Sequence, residues 1–356
     1  MTLEERSLAA PGLARRRLSR ALGLGKASGA VRAAVAVLVA LVLVAPLLPG
    51  WLLFLLTVAF AKGLVVLGVV LLLRGDLVSF GHGLFYAAGA YTVAFALRWG
   101  LPVRDAAALV LLGTLVAAAV AALVGLFIAR YRGIFFGMLS TAFTMILYSL
   151  LLKLYWLTGG TDGLAARPAS LLGLQPTADT LRLTQYYFVL ALTAVVTYCA
   201  YRLAASPLGY LMRAIYDNEI RVEYMGASVR QAIYRTYVIS GALGGLGGGL
   251  AAVAVGHVAP DLAYWTSSGE FVFVALFGGT GSVFAPLLGA VVFEFVRNYA
   301  FKLSPYTWQL LLGAVLVIVI LFAPGGLWSL LEQLVRRARS PARGGKGRWW
   351  VSSSKP

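Results

Sequence analysis

Acids, histidines and cysteine are scarce in this 356-residue chain: 13 Asp and Glu stand against 30 Lys and Arg, beside His82, His257 and the single Cys199. One cysteine excludes a disulfide within the chain. Two distant histidines leave no His, Cys and carboxylate set with metal-ligand spacing, so no metal is expected. Cys199 stands inside an apolar run close to Tyr198 and Tyr201 and reads as a packing residue. Charged residues make up only 12% of the chain, and no stretch is long and polar enough for a separate globular domain. Short alternating strands are missing too, which argues against a membrane β-barrel. GLGKAS at Gly23–Ser28 resembles part of a phosphate loop, yet that pattern needs a glycine five positions before the Gly-Lys pair. Arg20 stands there, so the chain is not expected to bind ATP by that route.

What the chain has in abundance is apolar sequence. Hydrophobic residues reach 60%, mean hydropathy is +0.86, and apolar runs near the ~20 residues needed to cross a bilayer recur along the whole length. The pattern predicts an all-α polytopic membrane protein with crossings near 31–48, 51–73, 77–97, 103–129, 134–157, 185–203, 233–256, 262–279, 283–301 and 307–328. The segment 262–279 is short and ends in glycine, and a re-entrant path there would send the C-terminus to the other side. A net charge of +17 could suggest nucleic acid, but its distribution points to membrane topology. With the N-terminus in the cytoplasm, only Arg98, Arg104, Arg167, Arg182, Arg297 and Lys302 fall outside, while Lys62 and Lys153 lie within crossings. The remaining Lys and Arg fall inside, so both tails are expected in the cytoplasm of a bacterial inner-membrane protein.

Residues 1–30 read as a basic tail, 31–330 as the membrane domain and 331–356 as a basic disordered tail suited to anionic lipid headgroups. The basic start is too long for a secretory signal and no small-residue cleavage site follows it, so the run from Val31 reads as a retained first helix.

Ionisable residues inside such a protein are functional candidates by default. Most acids, Asp76, Asp105, Asp162, Asp179, Asp261 and Glu270 among them, fall at expected helix ends or loops. Glu294 lies deep in a crossing, with Arg297 one turn later, and two readings stay open: a structural pair or a place in a pathway. Lys62 has no local acid, which implies an interhelical partner or a watery cavity. Lys153 can snorkel to the outer end of its crossing.

Glycines gather where helices should break or touch. One cluster is Ser79-Phe80-Gly81-His82-Gly83 followed by Gly89; the other is Gly278-Gly279-Thr280-Gly281-Ser282 followed by Pro286 and Gly289. Their places in the two halves suggest an inverted pseudo-repeat with broken helices. Gly241, Gly244, Gly245, Gly247, Gly248 and Gly249 read instead as a surface for close helix packing.

Between two apolar runs stands a charged island, Ser206–Gly226. Leu208, Leu211, Met212 and Ile215 recur at near-helical spacing with Ala214 among them. Arg213 is expected to be exposed, and Asp217, Asn218 and Glu219 follow. Ser206 suits an N-cap and Pro207 the first turn. Its acids fit poorly against an anionic leaflet, so docking to a soluble protein is expected over resting on lipid.

Seven blocks in this order carry a resemblance: LVSFGHGLFYAAGAYT (77–92), GIFFGMLSTAFTMIL (133–147), TGGTDGL (158–164), SPLGYLMRAIYDNEIRVEYMGASV (206–229), the glycine-rich 240–250, GGTGSVFAPLLGA (278–290) and FAPGGL (322–327). Together they resemble the inner-membrane permeases of branched-chain amino acid ATP-binding-cassette importers, and more narrowly the M-type permease, over about residues 35–330. The resemblance implies a non-enzymatic transport subunit. Its expected partners are an H-type permease, two ATP-binding subunits, an extracytoplasmic substrate-binding protein and membrane lipid, with no nucleic acid and with ATP bound only by the partners.

On that resemblance the island becomes the coupling helix that docks in the ATPase, carried by Leu208, Leu211, Arg213, Ala214, Ile215, Asp217, Asn218, Glu219 and Gly226. The substrate path between permeases would be lined by Ser79, His82, Tyr86, Ser140, Thr141, Thr144, Gly278, Gly279, Thr280, Gly281 and Ser282, although Ser and Thr often bond their own helix backbone. Gly159, Gly160, Thr161, Asp162 and Gly163 fall on the outer side, where a binding protein could deliver ligand; a simple tight turn is the competing reading. Urea or short amides remain alternative substrates. Two other classes stay in view: a stand-alone ion-coupled carrier using Lys62 and Glu294, and an intramembrane lipid enzyme using His82 and Glu294.

Overall fold

The computed structural model describes residues 24–100, 105–167, 170–171, 173, 177, 180–304, 306–323 and 325–339. Asp179, Arg104 and the outer parts of both basic tails lie outside these. The chain runs α1 (Leu24–Val44), α2 (Gly50–Leu73), α3 (His82–Arg98), α4 (Ala106–Ile128), α5 (Gly133–Lys153), α6 (Leu181–Ala204), α7 (Pro207–Tyr224), α8 (Val229–Val255), α9 (Trp265–Gly278), α10 (Ala285–Leu303), α11 (Trp308–Phe322) and α12 (Gly326–Arg339). A one-turn helix, Tyr155–Thr158, and two short strands, β1 (Leu164–Ala165) and β2 (His257–Val258), complete it. The protein is all-α in its membrane part, and each expected crossing is filled mainly by one helix. Among the described residues, α2, α4, α5, α6 and α8 are long and apolar enough to cross a bilayer by length and composition alone.

Local chemistry sets the helix ends. Asp105 caps α4 by accepting from the Ala107 amide, Ser206 caps α7 and Ser228 caps α8, while Gly256 closes α8 in the left-handed conformation. Pro46 falls in a 3-10 turn and Pro49 caps α2, so the two prolines turn the chain from α1 into α2.

Helices α2–α5 and α8–α11 repeat one order: a long helix, an irregular link, a short helix, then two more. Helices α2 and α8, which lead the two sets, run in opposite senses. Gly68 of α2 lies against Ser240 of α8, and Gly247, further along α8, lies against Ala61 and Val65, earlier along α2. This order and the antiparallel pairing of α2 with α8 agree with an inverted repeat whose paired breaks differ from those expected. The link 74–81 before α3 answers to 256–264 before α9, whereas the glycine cluster at 278–282 is the turn between α9 and α10.

Long helices α2 and α8 form the centre. Polar backbone is hidden inside both, so they can be apolar all round, and most of α2 is buried. The α8 glycines serve close packing, as the sequence indicated: a Cβ at Gly248 would overlap the Tyr86 carbonyl, and one at Gly245 would overlap Ala117 of α4. Loops gather at two opposite faces. On one, Arg98 donates to the carbonyls of Trp156 and Leu157, and β1 pairs with β2 in register Leu164 to Val258. On the other lie α7 and the first turn of α12.

The C-terminal helix is the second departure. It extends through Arg339, into the segment from 331 that composition marks as disordered. Its apolar residues recur at helical spacing amid arginines, and a count of charge alone hides that period.

Candidate functional site

Three constellations bear on function. The first surrounds the link before α3. Asp76 takes a positive φ of 59° in the turn that follows α2, and Leu77–Gly81 then runs non-helically with Leu77, Ser79 and Gly81 buried. Backbone that is neither helix nor sheet needs partners wherever water is excluded. Ser140 Oγ accepts from the Phe80 amide at 3.1 Å, Ser79 Oγ from the Gly81 amide at 3.2 Å, and Ser268 Oγ from the Gly83 amide at 2.8 Å. His82 Nε2 and Ser240 Oγ share a hydrogen bond of 2.7 Å. Helices α3, α5, α8 and α9 thus meet at one polar knot formed where the two repeats abut.

Ser79, His82, Ser140 and Thr144, expected to line a path, are all fully buried at 0% exposure; Ser79, Ser140 and Thr144 bond the chain's own backbone, and His82 bonds the Ser240 side chain. Thr144 bonds the Ser140 carbonyl and Thr141 the Gly137 carbonyl, both within α5. Tyr86 is buried against Phe271 of α9, with ring centroids 5.2 Å apart. In this conformation these residues organise the centre. Ser240 and Ser268 were missed because serines among glycines and beside threonine look like packing residues.

At the α9–α10 turn, Gly278 and Gly279 are buried, Thr280 and Gly281 are exposed, and Ser282 Oγ accepts from the Phe284 amide. Gly279 adopts φ +96°, and its backbone faces Gly325 and Gly326 at the start of α12. On the opposite face, Gly159, Gly160 and Gly163 all have positive φ, and Thr161 and Asp162 are exposed. The Tyr155 hydroxyl donates to Asp162 Oδ2 at 3.2 Å. The segment is a tight turn that presents two polar side chains, so both sequence readings are compatible with it.

The second constellation is α7. Met212, Ile215 and Val222 are buried, and Leu208, Leu211 and Ala214 pack partly against the same core. These residues anchor the helix to its own chain: Ile215, expected to meet a partner, is buried, while Leu208, Leu211 and Ala214 keep part of their surface open. Exposed instead are Tyr210, Arg213, Tyr216, Asp217, Ile220, Glu223, Tyr224 and Gly226. Asn218 is extended, at φ −166° and ψ 102°, and splits α7 into two helical pieces. Its Oδ1 accepts from the Arg221 amide at 2.9 Å, so it N-caps the second piece. Glu219 is half-buried and accepts from Arg132 Nε at 2.9 Å, while Arg132 also donates to the carbonyls of Ala129 and Tyr131. That pair ties α7 to the α4–α5 turn. Beneath α7, burial and then the nearby Arg213 charge lower Arg74 to about 10.

The third constellation is ionic. Lys62 Nζ on α2 donates to Glu270 Oε1 on α9 at 2.7 Å and to Glu294 Oε1 on α10. Arg297 Nη1 reaches Glu270 Oε1 at 3.1 Å and Glu294 Oε1 at 3.5 Å, and its guanidinium lies 5.4 Å from the Trp308 ring centre. Two cations and two carboxylates cancel, as a charge group inside a membrane must. The i,i+3 pair Glu294–Arg297 is present, and the interhelical partner that Lys62 implied is supplied by both acids. Glu270 was read at a helix end, because α9 is short and the acid falls in its second turn.

A family model described as the permease component of a branched-chain amino acid transport system matches residues 51–320. The chain is 28% identical over 306 residues to the high-affinity branched-chain amino acid transport system permease protein LivM of Escherichia coli (strain K12), an overlap of 78% of this chain and 69% of that protein. It is 30% identical over 300 residues to the LivM permease protein of Salmonella typhimurium, again across 78% and 69% of the two chains. No solved structure matches it.

Proposed function

The chain belongs to the branched-chain amino acid transport system permease family, and from that premise we propose that it carries branched-chain or other small apolar amino acids into the cell as one permease of an ATP-binding-cassette importer. Its partners in this reading are a second, homologous permease, two ATP-binding subunits and an extracytoplasmic binding protein. The chain makes ten crossings of the bacterial inner membrane, with α7 and both tails in the cytoplasm. It binds no ATP itself.

The observation that carries the reading is the two-sided construction of α7. Its inner side is fastened by Met212, Ile215 and Val222 and by the Glu219–Arg132 pair, while its outer side leaves Tyr216, Ile220 and Tyr224 exposed. A large apolar surface exposed on an aqueous face marks a protein contact. A helix so fastened moves with the α4–α5 turn and the ends of α6 and α8. An ATPase gripping its outer side would therefore drive the crossings as a body. On the opposite face, Thr161 and Asp162 meet the binding protein.

Co-purification in mild detergent followed by reconstitution tests this. Recovery of ATP-binding subunits, and leucine uptake that needs ATP, is the expected result. Uptake without nucleotide by the chain alone would overturn it in favour of an ion-coupled carrier. Lys62 and Glu294 have each other as partners and hold three helices together, which favours the importer.

A further inference from the structure

Helix α12 has one partnered end. Gly326, at φ +74°, lies against Gly278 and Gly279, and Trp328 stacks on Phe284 at 6.3 Å, with Phe284 in turn stacked on Tyr201 of α6 at 6.3 Å. These contacts fix its first turn on the α7 face. Beyond that turn, among the described residues, Leu330 and Leu331 are left 38% and 44% exposed.

The sequence around this helix has two faces. Apolar residues fall at 327, 328, 331, 334, 335 and 338, spaced i, i+1, i+4, i+7, i+8 and i+11, and Ser329, Glu332, Gln333, Arg336 and Arg337 fall on the other side. No acid follows Glu332, whereas Arg336, Arg337, Arg339, Arg343, Lys346 and Arg348 do, then Trp349 and Trp350. Trp328 Nε1 donates to Glu332 Oε1 at 2.9 Å, which engages that acid within the helix. Only residues 323–325 separate α12 from the apolar helix α11. The helix therefore starts where a membrane-crossing segment leaves the bilayer, at the boundary between hydrocarbon and water.

We propose that α12 lies along the membrane on the α7 face and binds anionic lipid headgroups. An apolar stripe with cations on the opposite side is the chemistry of an interfacial helix, and arginines close to an anionic leaflet add to its attraction. Such a helix is held at one end by the α9–α10 turn and along its length by lipid. The lipid surface thereby bears directly on Gly278–Gly279.

The test is a spin label at Leu331→Cys in a Cys199→Ser background, which removes the exposed native thiol. The full chain, with its co-purifying subunits, is reconstituted in phosphatidylcholine with and without phosphatidylglycerol. Accessibility to oxygen and to a nickel chelate is then read. In the anionic bilayer, the oxygen-to-nickel ratio at 331 is expected to be severalfold that of a label at Gln333→Cys. Neutral lipid, or Arg336→Gln, Arg337→Gln and Arg339→Gln together, should bring the ratio down. A label shielded from both reagents would mean that a protein covers the face, and an unchanged ratio in neutral lipid would mean that headgroup charge is irrelevant; either overturns the proposal. Because the label reports position and not uptake, the result is independent of the transported substrate.

Discussion

Lys62 and Glu270 are 208 positions apart in the chain, yet their charged groups meet at 2.7 Å between α2 and α9. Glu294 and Arg297 of α10 close the group, so three helices from both repeats are fastened by four charges that sum to zero. Removing one charge leaves another uncompensated where water is scarce, a loss of about 3–5 kcal/mol when a buried pair is broken. Lys62→Met is therefore expected to cut folded yield and lower the melting temperature in detergent. Lys62→Met combined with Glu294→Gln restores neutrality and should recover part of the loss. A double variant less stable than the single would show that charge balance is not what the cluster provides.

The outward side of α7 gives a second prediction. Tyr216 and Ile220 are 61% and 67% exposed, so Tyr216→Asp with Ile220→Asp removes apolar surface without disturbing the buried seam at Met212 and Ile215. The variant should insert and fold normally and lose its co-purifying ATP-binding subunits. Ile215→Asp should instead lower the yield of the chain itself, because it buries a charge. Normal ATPase recovery with Tyr216→Asp and Ile220→Asp would place the contact elsewhere.

The helix order was legible in the sequence because long apolar runs leave a bilayer-spanning chain few choices. The crowded glycines of α8 were legible for the same reason, since only contact between helices explains six in nine positions. What escaped was set by pairing at a distance. Nothing local tells Glu270 that it faces Lys62, or Ser268 that it receives the Gly83 amide, because both contacts join opposite repeats. The burial of Ile215 in α7 escaped because a two-turn apolar pattern says which residues share a face but not which face is covered. Asn218 left a usable sign: a short polar side chain within an Asp-Asn-Glu run is a good N-cap, and it interrupts α7.

Asp105 supplies a pH-dependent prediction on the loop face opposite α7. It accepts from the Gly173 amide at 2.7 Å, the Ala107 amide at 2.9 Å and Ser170 Oγ at 3.1 Å. Burial pushes its carboxyl up, but these hydrogen bonds outweigh burial and hold it below the ordinary value. A carboxyl depressed in the folded state stabilises it above the unfolded value, near about 3.9, and that contribution is lost as pH falls through the folded value. Protection of the Gly173 amide from hydrogen exchange, taken relative to its intrinsic rate at each pH, should fall on acidification below about pH 4. Asp105→Asn should show lower protection at neutral pH and lose that dependence. An unaltered acid response in the variant would assign it to another group.

Two glycines in one turn separate structure from surface. Gly279 holds φ +96° and ψ 153°, a region open essentially to glycine alone, and a side chain there would run into the Gly325 carbonyl of the α12 junction. Gly281, two residues on, has no atom within 4 Å of a would-be Cβ and no positive φ. Backbone strain of order 1–3 kcal/mol is thus expected for Gly279→Leu before the clash is counted, and little for Gly281→Leu. Both variants should retain the ATP-binding subunits, since α7 is untouched. Uptake should collapse in Gly279→Leu and stay near normal in Gly281→Leu, measured per inserted molecule. Equal loss in both would mean that the exposed part of this turn meets the substrate, and that the turn's role is not confined to joining α9, α10 and α12.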